Sequence, residues 1–466
     1  MREPVDERVG GHSIDQLGER GQVEQHLIGK LGGRLPGALG QRAQHPPVVD
    51  RDALQAKRRG QLPVQPPAEI RQDIAKVILE PALQIQNPVV SHAPFAPTIA
   101  DPATPPEPSA QRRAERPARV GLAIPLSGPL GLLGPSSLNS ALLACEELNA
   151  ADGVASRPLE LVVVDAGQEP PRVARQLAEL AADRSLDALV GMHTSTVRRA
   201  IVRQLGGRVP YVYTPPYEGG ERARGVFLLG STPAEQLSPA LRWLAARAAR
   251  RWVLVGNDYV WPRRVNSLAR EELAVLGATV AGELYLPFGA TDLDATIRAL
   301  RDARPHALLI TLIGEELVRF ERRVADEARL ARLPQLCLAL DENVLLAFAE
   351  VAPANLFSAM EYFAEPPTPD GRLMAERYRI RFGPDAPLLS VYAQSCYEGV
   401  HALAALARRA GSLHVGAIEA RADGTVVEAG RGSARLRGRA LRPDVYLAQA
   451  DGSALRVLVR LPRAGR

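Results

Sequence analysis

From residue 118 onward, short apolar runs alternate with longer amphipathic segments. Apolar runs of four to eight residues between turn signals are typical of buried strands, and apolar residues three and four apart predict helices that cover them. The first predicted strands cover residues 120–125, 159–165, 188–190 and 209–212. The helices predicted between them cover residues 136–150, 171–182 and 196–205. Such βαβ alternation predicts a doubly wound parallel sheet.

The same rhythm restarts after a break at residues 230–233. The predicted helices of this second half cover residues 236–249, 262–276, 293–303 and 316–331. The predicted strands cover residues 252–255, 279–285, 307–312 and 336–340. Two successive α/β units of similar size predict two lobes, each with its own sheet. A long helix at 388–409 and a strand-like segment at 445–461 must return to one lobe or the other.

The composition changes near residue 117. All three lysines lie before that point, together with a single aromatic residue, Phe95, whereas every tryptophan and tyrosine lies after it. A segment with so few large apolar groups cannot offset the entropy of an ordered chain. We therefore expect residues 1–116 to be a mostly disordered, low-structure extension, with a short helix at 69–79 as the one candidate element.

Charge and hydropathy exclude several functions. The net charge of +5 is spread thinly, and no basic cluster is interleaved with aromatic residues, so we expect no direct binding of nucleic acid. No apolar run approaches the roughly 18–20 residues of a membrane span, so no membrane insertion is expected. The N-terminus lacks the apolar stretch of a secretory signal. The sequence as written predicts a cytoplasmic protein, and a periplasmic one if the N-terminus is misassigned. Three widely spaced cysteines form no CxxC pair and leave a disulfide open.

Candidate binding residues follow the predicted strands. In open parallel sheets, ligands bind beyond the carboxyl ends of strands, where helix N-termini present free N–H groups. The loops at these positions carry hydroxyls and aromatic rings with few charges, which suits a small polar, mostly neutral solute. The candidates in these loops are Ser127, His193, Thr194, Ser195, Tyr213, Thr214, Pro215, Tyr259 and Trp261.

An enzymatic function has weaker support in the sequence motifs. Gly128, Gly131 and Gly134 follow a predicted strand, but their spacing is GxxGxxG and Pro129 removes an N–H that a pyrophosphate would need. Residues 117–466 contain no lysine, which excludes a P-loop and Schiff-base chemistry there. No GxSxG or HExxH motif occurs. We therefore expect a binding protein without catalytic residues, cofactor or metal; a nucleotide-dependent α/β enzyme is the alternative.

Taken in order, these loops and helices resemble the type I periplasmic-binding-protein family. The resemblance is strongest to the branch that holds urea- and short-chain-amide-binding proteins and the cytoplasmic amide sensor of aliphatic amidase operons. It covers residues 117–466. The matching stretches are 124–129 with 134–136, 141–150, 191–195 with 198–200, 213–219, 257–263 with 266, and 282–287 with 291–292.

The resemblance implies two Rossmann-like lobes joined by a three-segment hinge. It places the N-terminal lobe at 117–231 plus 366–438 and the C-terminal lobe at 232–365 plus 439–466. In such proteins the solute bridges the lobes and favours closure, because only the closed state satisfies both sets of contacts.

The resemblance also implies roles for single residues. Ser195 and its backbone N–H should hold a ligand carbonyl, and Tyr213 with the Thr214–Pro215 backbone should line the floor. Tyr259 with Trp261 should fold over from the second lobe. The two candidate acceptors for an amide NH₂ or an ammonium group are Asp341 and Glu342.

Two departures from the branch bear on the ligand. Pro215 stands where the amide sensor commonly has a hydroxyl residue, and His193 stands where the branch often has an aromatic residue. A site built on particular hydrogen bonds rejects analogues that leave its polar groups unpaired. The prediction is therefore a short-chain amide, urea or amino acid, with branched-chain amino acids and amides larger than acetamide included.

Two roles are compatible with this resemblance. One is the substrate-binding component of an ABC transporter, with the permease as partner. The other is a cytoplasmic amide-sensing regulator that opens or closes on a partner regulator protein.

Overall fold

The computed structural model describes residues 116–151, 153–245, 249–348 and 355–463. The predictions for the extension before Arg116 and for a helix at 69–79 lie outside the described residues. None of the helices in these ranges is both long and apolar enough to cross a membrane. Cys145, Cys337 and Cys396 are free thiols.

The first sheet has five parallel strands in the order β2-β1-β3-β4-β5. Six of the seven residues of β1 are buried, as expected for a strand with helices on both faces. The strands are β1 (Ala118–Ile124), β2 (Leu159–Asp165), β3 (Ala188–Gly191), β4 (Tyr211–Tyr213) and β5 (Val226–Leu228). The helices between them are α1 (Gly134–Ala150), α2 (Pro170–Ala182) and α3 (Ser195–Leu205). A 3-10 helix, Gly128–Leu133, precedes α1.

The chain then builds most of a second, seven-stranded sheet in the order β14-β13-β10-β9-β8-β6-β7. Its first helices are α4 (Pro233–Ala245), α5 (Val260–Val275), α6 (Asp294–Ala303), α7 (Gly314–Ala325) and α8 (Glu342–Ala347). Its parallel strands are β6 (Arg251–Asn257), β7 (Thr279–Leu286), β8 (Ala307–Thr311), β9 (Gln335–Cys337) and β10 (Leu356–Met360). The buried run ALLIT of β8 illustrates why these segments become interior strands.

After β10 the chain returns to the first sheet. It forms α9 (Pro369–Phe382), α10 (Val391–Ala410), α11 (Val415–Arg421) and a hairpin of β11 (Val426–Ala429) and β12 (Gly432–Arg435). Arg377 of α9 pairs with Glu147 of α1 at 2.9 Å, and Arg381 pairs with Glu146 at 2.7 Å. These ion pairs tie α9 to the first lobe.

The chain crosses to the second sheet a last time. Before this crossing, the backbone of residues 439–441 pairs with β5 of the first sheet. Leu228 N–H donates to Arg439 O at 2.9 Å, and Leu441 N–H donates to Leu228 O at 2.8 Å. The strand β13 (Tyr446–Asp451) then pairs antiparallel with β10, and β14 (Ala454–Arg460) pairs antiparallel with β13 at the edge of the sheet. Two α/β sheets linked by three crossings confirm the predicted fold class. The residue bounds given to each lobe stay a prediction.

Candidate functional site

A cavity lies where the carboxyl ends of strands from both sheets face each other. It encloses about 430 Å³, counting the part open to solvent. Residues after β1, β3 and β4 form one wall, and residues after β6, β8 and β9 form the other. The lining residues are Leu130, Leu133, Met192, His193, Thr194, Ser195, Tyr213, Pro215, Pro216, Tyr259, Trp261, Ile313, Leu338, Ala339 and Tyr392.

Most of the ligand residues predicted from the sequence meet at this cavity. His193, Thr194 and Ser195 follow β3, and Tyr213 ends β4. The remaining predicted residues that line it are Pro215, Tyr259 and Trp261. The structure thus brings the rings and hydroxyls of both lobes together, and their contact with a solute stays a prediction.

Ser127 and Thr214 do not line the cavity. The Ser127 hydroxyl donates to Asp165 Oδ2 at 2.6 Å, so it ties the loop after β1 to the end of β2. The Thr214 hydroxyl accepts from Ser395 Oγ at 3.0 Å and is buried beneath α10. The contact predicted between these side chains and a solute stays a prediction.

Asp341 and Glu342 also lie outside the cavity lining. Asp341 caps α8 by accepting from Val344 N–H at 3.0 Å, and Glu342 accepts from Ala364 N–H at 2.6 Å. Burial raises the pKa of Asp341 to about 6 and that of Glu342 to about 8. One oxygen of each carboxyl group, Asp341 Oδ2 and Glu342 Oε2, is buried without a hydrogen-bond partner in the described residues. Their role as acceptors stays a prediction.

Several lining residues were missed by the sequence reasoning. Leu130 and Leu133 lie in the loop after β1, where only the serine hydroxyl and the glycines gave a sequence signal for binding. Ile313 and Leu338 follow strand ends, so their positions carried a signal, but apolar residues there resemble core. The sequence around Tyr392 does not predict a binding residue, because Tyr392 lies on α10, which is far in sequence from the loops that form the cavity.

The N-terminus of α3 points at the cavity. Thr194 is the N-cap, with extended backbone, and its hydroxyl accepts from Val197 N–H at 3.4 Å. The next N–H groups, of Ser195 and Thr196, have no acceptor among the described residues. Free N–H groups and the positive end of the helix dipole favour an oxygen-bearing group here.

His193 forms a neutral part of the floor. Its Nδ1 lies 3.1 Å from Thr194 O and its Nε2 lies 2.9 Å from the Tyr211 hydroxyl. Burial lowers the pKa of His193 to about 3, so the ring is uncharged at neutral pH. Donation from Nδ1 to the carbonyl then leaves Nε2 to accept from Tyr211. The Tyr213 hydroxyl donates to His193 O at 2.6 Å, which fixes that ring against the same loop.

A buried charge cluster lies behind the floor. The guanidinium of Arg198, which is 2% exposed, lies 2.8 Å from Glu218 and 3.2 Å from Glu221. It also sits 4.9 Å from the ring centre of Tyr213. Burial alone would lower the pKa of Arg198, but Tyr213 and Glu218 outweigh it and raise the pKa above its usual value. The cluster therefore stays charged.

Aromatic residues form the wall contributed by the second sheet. Tyr259 is the N-cap of α5, and its ring centre lies 6.4 Å from that of Trp261 and 5.4 Å from that of Phe288. No hydrogen bond joins the Tyr259 hydroxyl to another residue in the described ranges. Burial is the main cause that raises the pKa of Tyr259 well above its usual value, and the electrostatic effect of Tyr213 on the opposite wall adds to it. The phenol is therefore neutral and available to a solute.

The two lobes touch across the cavity mouth. A Cβ on Gly314, whose φ is +55°, would lie 2.0 Å from Pro129 O of the opposite lobe. Elsewhere along the cleft, Asn343 Nδ2 donates to Leu388 O at 3.0 Å. The structure is thus a closed arrangement of the two lobes, and the cavity between them stays partly open to solvent.

Two hinged α/β lobes with a site between their strand ends define a class of proteins that close on a small ligand. The sequence model described as periplasmic binding protein matches residues 117–454. The chain belongs to that family.

Solved structures with this fold include an ABC transporter substrate-binding protein from Sphaerobacter thermophilus, which is 20% identical, with a TM-score of 0.63 over 75% of this chain and 98% of that chain. A solute-binding protein of an ABC transporter from Rhodopseudomonas palustris in complex with 3,4-dihydroxybenzoic acid is 19% identical, with a TM-score of 0.65 over 75% and 98%. The branched-chain amino acid transporter substrate-binding protein LivJ from Streptococcus pneumoniae, in complex with isoleucine, is 18% identical, with a TM-score of 0.63 over 74% and 100%.

Proposed function

We propose that this protein binds a small solute that carries a carbonyl group, by closing its two lobes around it. The observation that carries the proposal is the cavity itself, which both lobes line and which α3 enters with free N–H groups. Membership of the periplasmic binding protein family supports a binding role instead of catalysis.

The lining supports a solute with a compact apolar body and one polar head. None of the described lining residues is Asp, Glu, Arg or Lys, and four of them are Tyr213, Tyr259, Trp261 and Tyr392. Rings of this kind pack against flat or branched apolar groups. The Ser195 and Thr196 N–H groups would donate to the carbonyl oxygen, and the Tyr259 hydroxyl would bond the rest of the head. A short-chain amide fits these contacts, whereas urea, which has no apolar body, would use only the hydrogen bonds.

A second candidate is an aromatic carboxylic acid. The aromatic lining favours it, and solute-binding proteins of the same fold are known in complex with benzoate and with 3,4-dihydroxybenzoic acid. A carboxylate would use the same N–H groups at the start of α3.

Delivery of the solute to an ABC permease is the role that the family supports best. The regulator role inferred from the sequence stays a prediction, since no contact in the described residues favours it.

Calorimetry with a panel of propionamide, urea, isoleucine, benzamide and benzoate tests the proposal. At least one compound should bind, and Tyr259→Ala should weaken its binding by roughly 1–3 kcal/mol through lost packing and hydrogen bonding. Tyr285→Ala is the matched control, because Tyr285 lies on β7 of the same lobe away from the cavity and hydrogen-bonds Asn266 at 3.2 Å. Equal loss in both variants, or no loss in Tyr259→Ala, would rule out this cavity as the site.

A further inference from the structure

A second cavity lies where the chain crosses between the two sheets. It encloses about 620 Å³, counting the part open to solvent, and shares no lining residue with the solute cavity. Residues within 361–368, which connect β10 to α9, and within 441–446, which lead into β13, form most of its lining. The hairpin of β11 and β12 and Glu398 of α10 complete it. We call this space the hinge cavity.

Two buried polar groups of the hinge cavity lack a partner. Glu361 and Tyr362 both line it, and each is 2% exposed. Glu361 Oε1 accepts from the N–H of Ser231, at 2.8 Å, and from the Ser231 hydroxyl. Glu361 Oε2 and the Tyr362 hydroxyl have no hydrogen-bond partner among the described residues. Because unpaired buried polar atoms are rare in folded proteins, these two indicate a bound molecule or water.

The buried part of the lining carries an excess of negative charge. Arg431 donates to both oxygens of Glu398, through Nε at 3.3 Å and through Nη2. Among the described residues, no hydrogen bond or ion pair joins Arg431 to Glu361. Burial alone would lower the pKa of Arg431, but Glu398 and then Glu361 outweigh it, so both carboxylates lie within its electrostatic reach. One guanidinium thus faces two carboxylates, and Glu361 has no cation of its own.

The other charged side chains of the lining lie at its solvent-exposed rim. Arg442 pairs with Glu235 at 3.8 Å, and Arg463 pairs with Asp444 at 2.9 Å. Both arginine side chains are more than half exposed, so solvent and salt screen their charges. The buried Glu361 carboxylate therefore dominates what a ligand inside the cavity would meet.

Much of the remaining lining is aromatic or apolar. Aromatic rings attract a cation placed over their faces, and apolar side chains favour a ligand that carries an alkyl group. The aromatic and apolar residues of the lining are Tyr362, Tyr446, Pro366, Pro367, Ala434, Leu441 and Pro443. This lining suits an organic cation with a short apolar body.

We propose that the hinge cavity binds a small primary alkylammonium compound, with Glu361 Oε2 and the Tyr362 hydroxyl accepting its N–H groups. The ammonium group supplies the donors that both oxygens lack and neutralises the carboxylate, and such charge-assisted hydrogen bonds are among the stronger ones. The alkyl group packs against the prolines of the lining. This second site goes beyond the proposed function, because none of the residues that line it lines the solute cavity.

Calorimetry with butylammonium chloride on the full chain, at constant ionic strength, tests the site. The compound should bind saturably, with a Kd in the millimolar range or below. Tetramethylammonium has the same charge without an N–H group, and butyrate has a similar alkyl group with the opposite charge. Each of these two should bind about tenfold or more weakly than butylammonium.

Glu361→Gln keeps the shape of the side chain and removes its charge, so it should weaken butylammonium binding about tenfold or more. Glu316→Gln is the matched control. Glu316 is equally buried, accepts from the backbone N–H of Gly289 at 2.7 Å, and likewise has an Oε2 without a partner in the described residues. It does not line the hinge cavity, so its replacement should leave the affinity unchanged.

Tyr362→Phe separates a binding role of the hydroxyl from a structural one. It should weaken butylammonium binding about three- to tenfold, but it should not lower the free energy of unfolding in the absence of ligand, because the hydroxyl has no protein partner to lose. Tyr378→Phe should do the reverse, since the Tyr378 hydroxyl donates to Pro387 O at 2.9 Å and does not line the hinge cavity. If Glu361→Gln does not fold, this pair decides.

The outcomes are distinct. Binding that declines in Glu361→Gln and Tyr362→Phe and persists in Glu316→Gln supports the site. No saturable binding of butylammonium would mean that water alone fills the cavity, and it overturns the site. Tetramethylammonium or butyrate binding as tightly, or an equal loss in Glu316→Gln, overturns it too. Binding that is lost in Tyr259→Ala and intact in Glu361→Gln would assign the compound to the solute cavity and contradict a second site.

Discussion

Gly191, the last residue of β3, shows how tightly the cavity floor is packed. A Cβ at this position would lie 2.7 Å from His193 Nε2 and 2.9 Å from Tyr211 Cε2. Both rings are held by their mutual hydrogen bond of 2.9 Å, so neither can move without losing it. The absence of a side chain at Gly191 is therefore what leaves room for the His193 and Tyr211 rings beside β3.

Gly191→Ala should lower the free energy of unfolding by roughly 1–3 kcal/mol, because overpacking forces rings from their preferred positions. Urea unfolding followed by circular dichroism measures the change. Gly282→Ala is a suitable control, since a Cβ on Gly282 would meet Val253 at an ordinary 3.7 Å. A loss in the control as large as in Gly191→Ala would contradict the packing argument.

Among single residues, the sequence allowed prediction of the cavity-lining residues that directly follow strands, but not of those that lie elsewhere in the chain. His193, Ser195 and Tyr259 were found because a polar or aromatic residue directly after an apolar run is unusual. Tyr392 was missed because no pattern links residue 392 to loops two hundred residues away. Asp341 lies outside the cavity lining because a carboxylate after a strand serves equally well as a helix cap, and it caps α8 here.

Among the elements, α7 carries an unusual buried carboxyl group. Glu321 is fully buried, and burial raises its pKa to about 8. Its neighbour is Gln335 of β9, whose amide nitrogen, turned toward it, donates to Glu321 Oε1 at 2.9 Å. The protonated form of Glu321 thus belongs to the native packing of α7 on the second sheet.

Glu321 should make stability fall as pH rises. Its pKa is about 8 in the folded state and near the ordinary 4.5 in the unfolded chain, so folding retains a proton between these values. The stabilisation is complete below about pH 4.5 and is lost as pH rises through 8. Glu321→Gln should remove this dependence and be more stable than the natural protein at pH 9 by roughly 1–3 kcal/mol.

Urea unfolding at pH 5, 7 and 9 measures this difference between the two proteins. Glu342 also has a raised pKa, so some pH dependence should persist in the variant. Parallel pH curves for Glu321→Gln and the natural protein would show that Glu321 is not the group responsible.

The order of helices and strands was largely predictable, and its deviations have local causes. The helix predicted at 316–331 ends at Ala325, and a separate 3-10 turn follows at Leu330–Arg332. The strand-like segment at 445–461 is two strands, because Gly452, with φ of +61°, reverses the chain. Strand β10 and helix α9 were not predicted, because the residues around them show no clear hydrophobic periodicity. Periodicity reports local amphipathicity and says nothing about which sheet an element joins.

Closure of the whole molecule depends on the contact between Gly314 and Pro129. Gly314 begins α7 in the second lobe, and Pro129 lies in the loop after β1 of the first. Because a Cβ on Gly314 would overlap Pro129 O, even an alanine there keeps the lobes apart.

Gly314→Ala should weaken solute binding about tenfold, because the closed arrangement becomes less favourable by roughly 1.4 kcal/mol or more. Solute should also cause a smaller decrease in the radius of gyration measured by X-ray scattering. Gly289→Ala is the control, since Gly289 has a similar φ of +80° with no atom near its Cβ position. Equal affinities for Gly314→Ala and the control would show that backbone strain, and not contact between lobes, explains the effect.

The pairing of Leu228 with Arg439 and Leu441 has a consequence for biosynthesis. The edge of the first sheet is completed by a segment made more than two hundred residues after β5, and the second sheet gains β13 and β14 later still. A nascent chain that has reached residue 430 therefore carries two unfinished sheets, each with an open edge able to pair with other chains. Neither lobe can be cut out at a single peptide bond, and a ribosome that stalls late releases a product with no finished half.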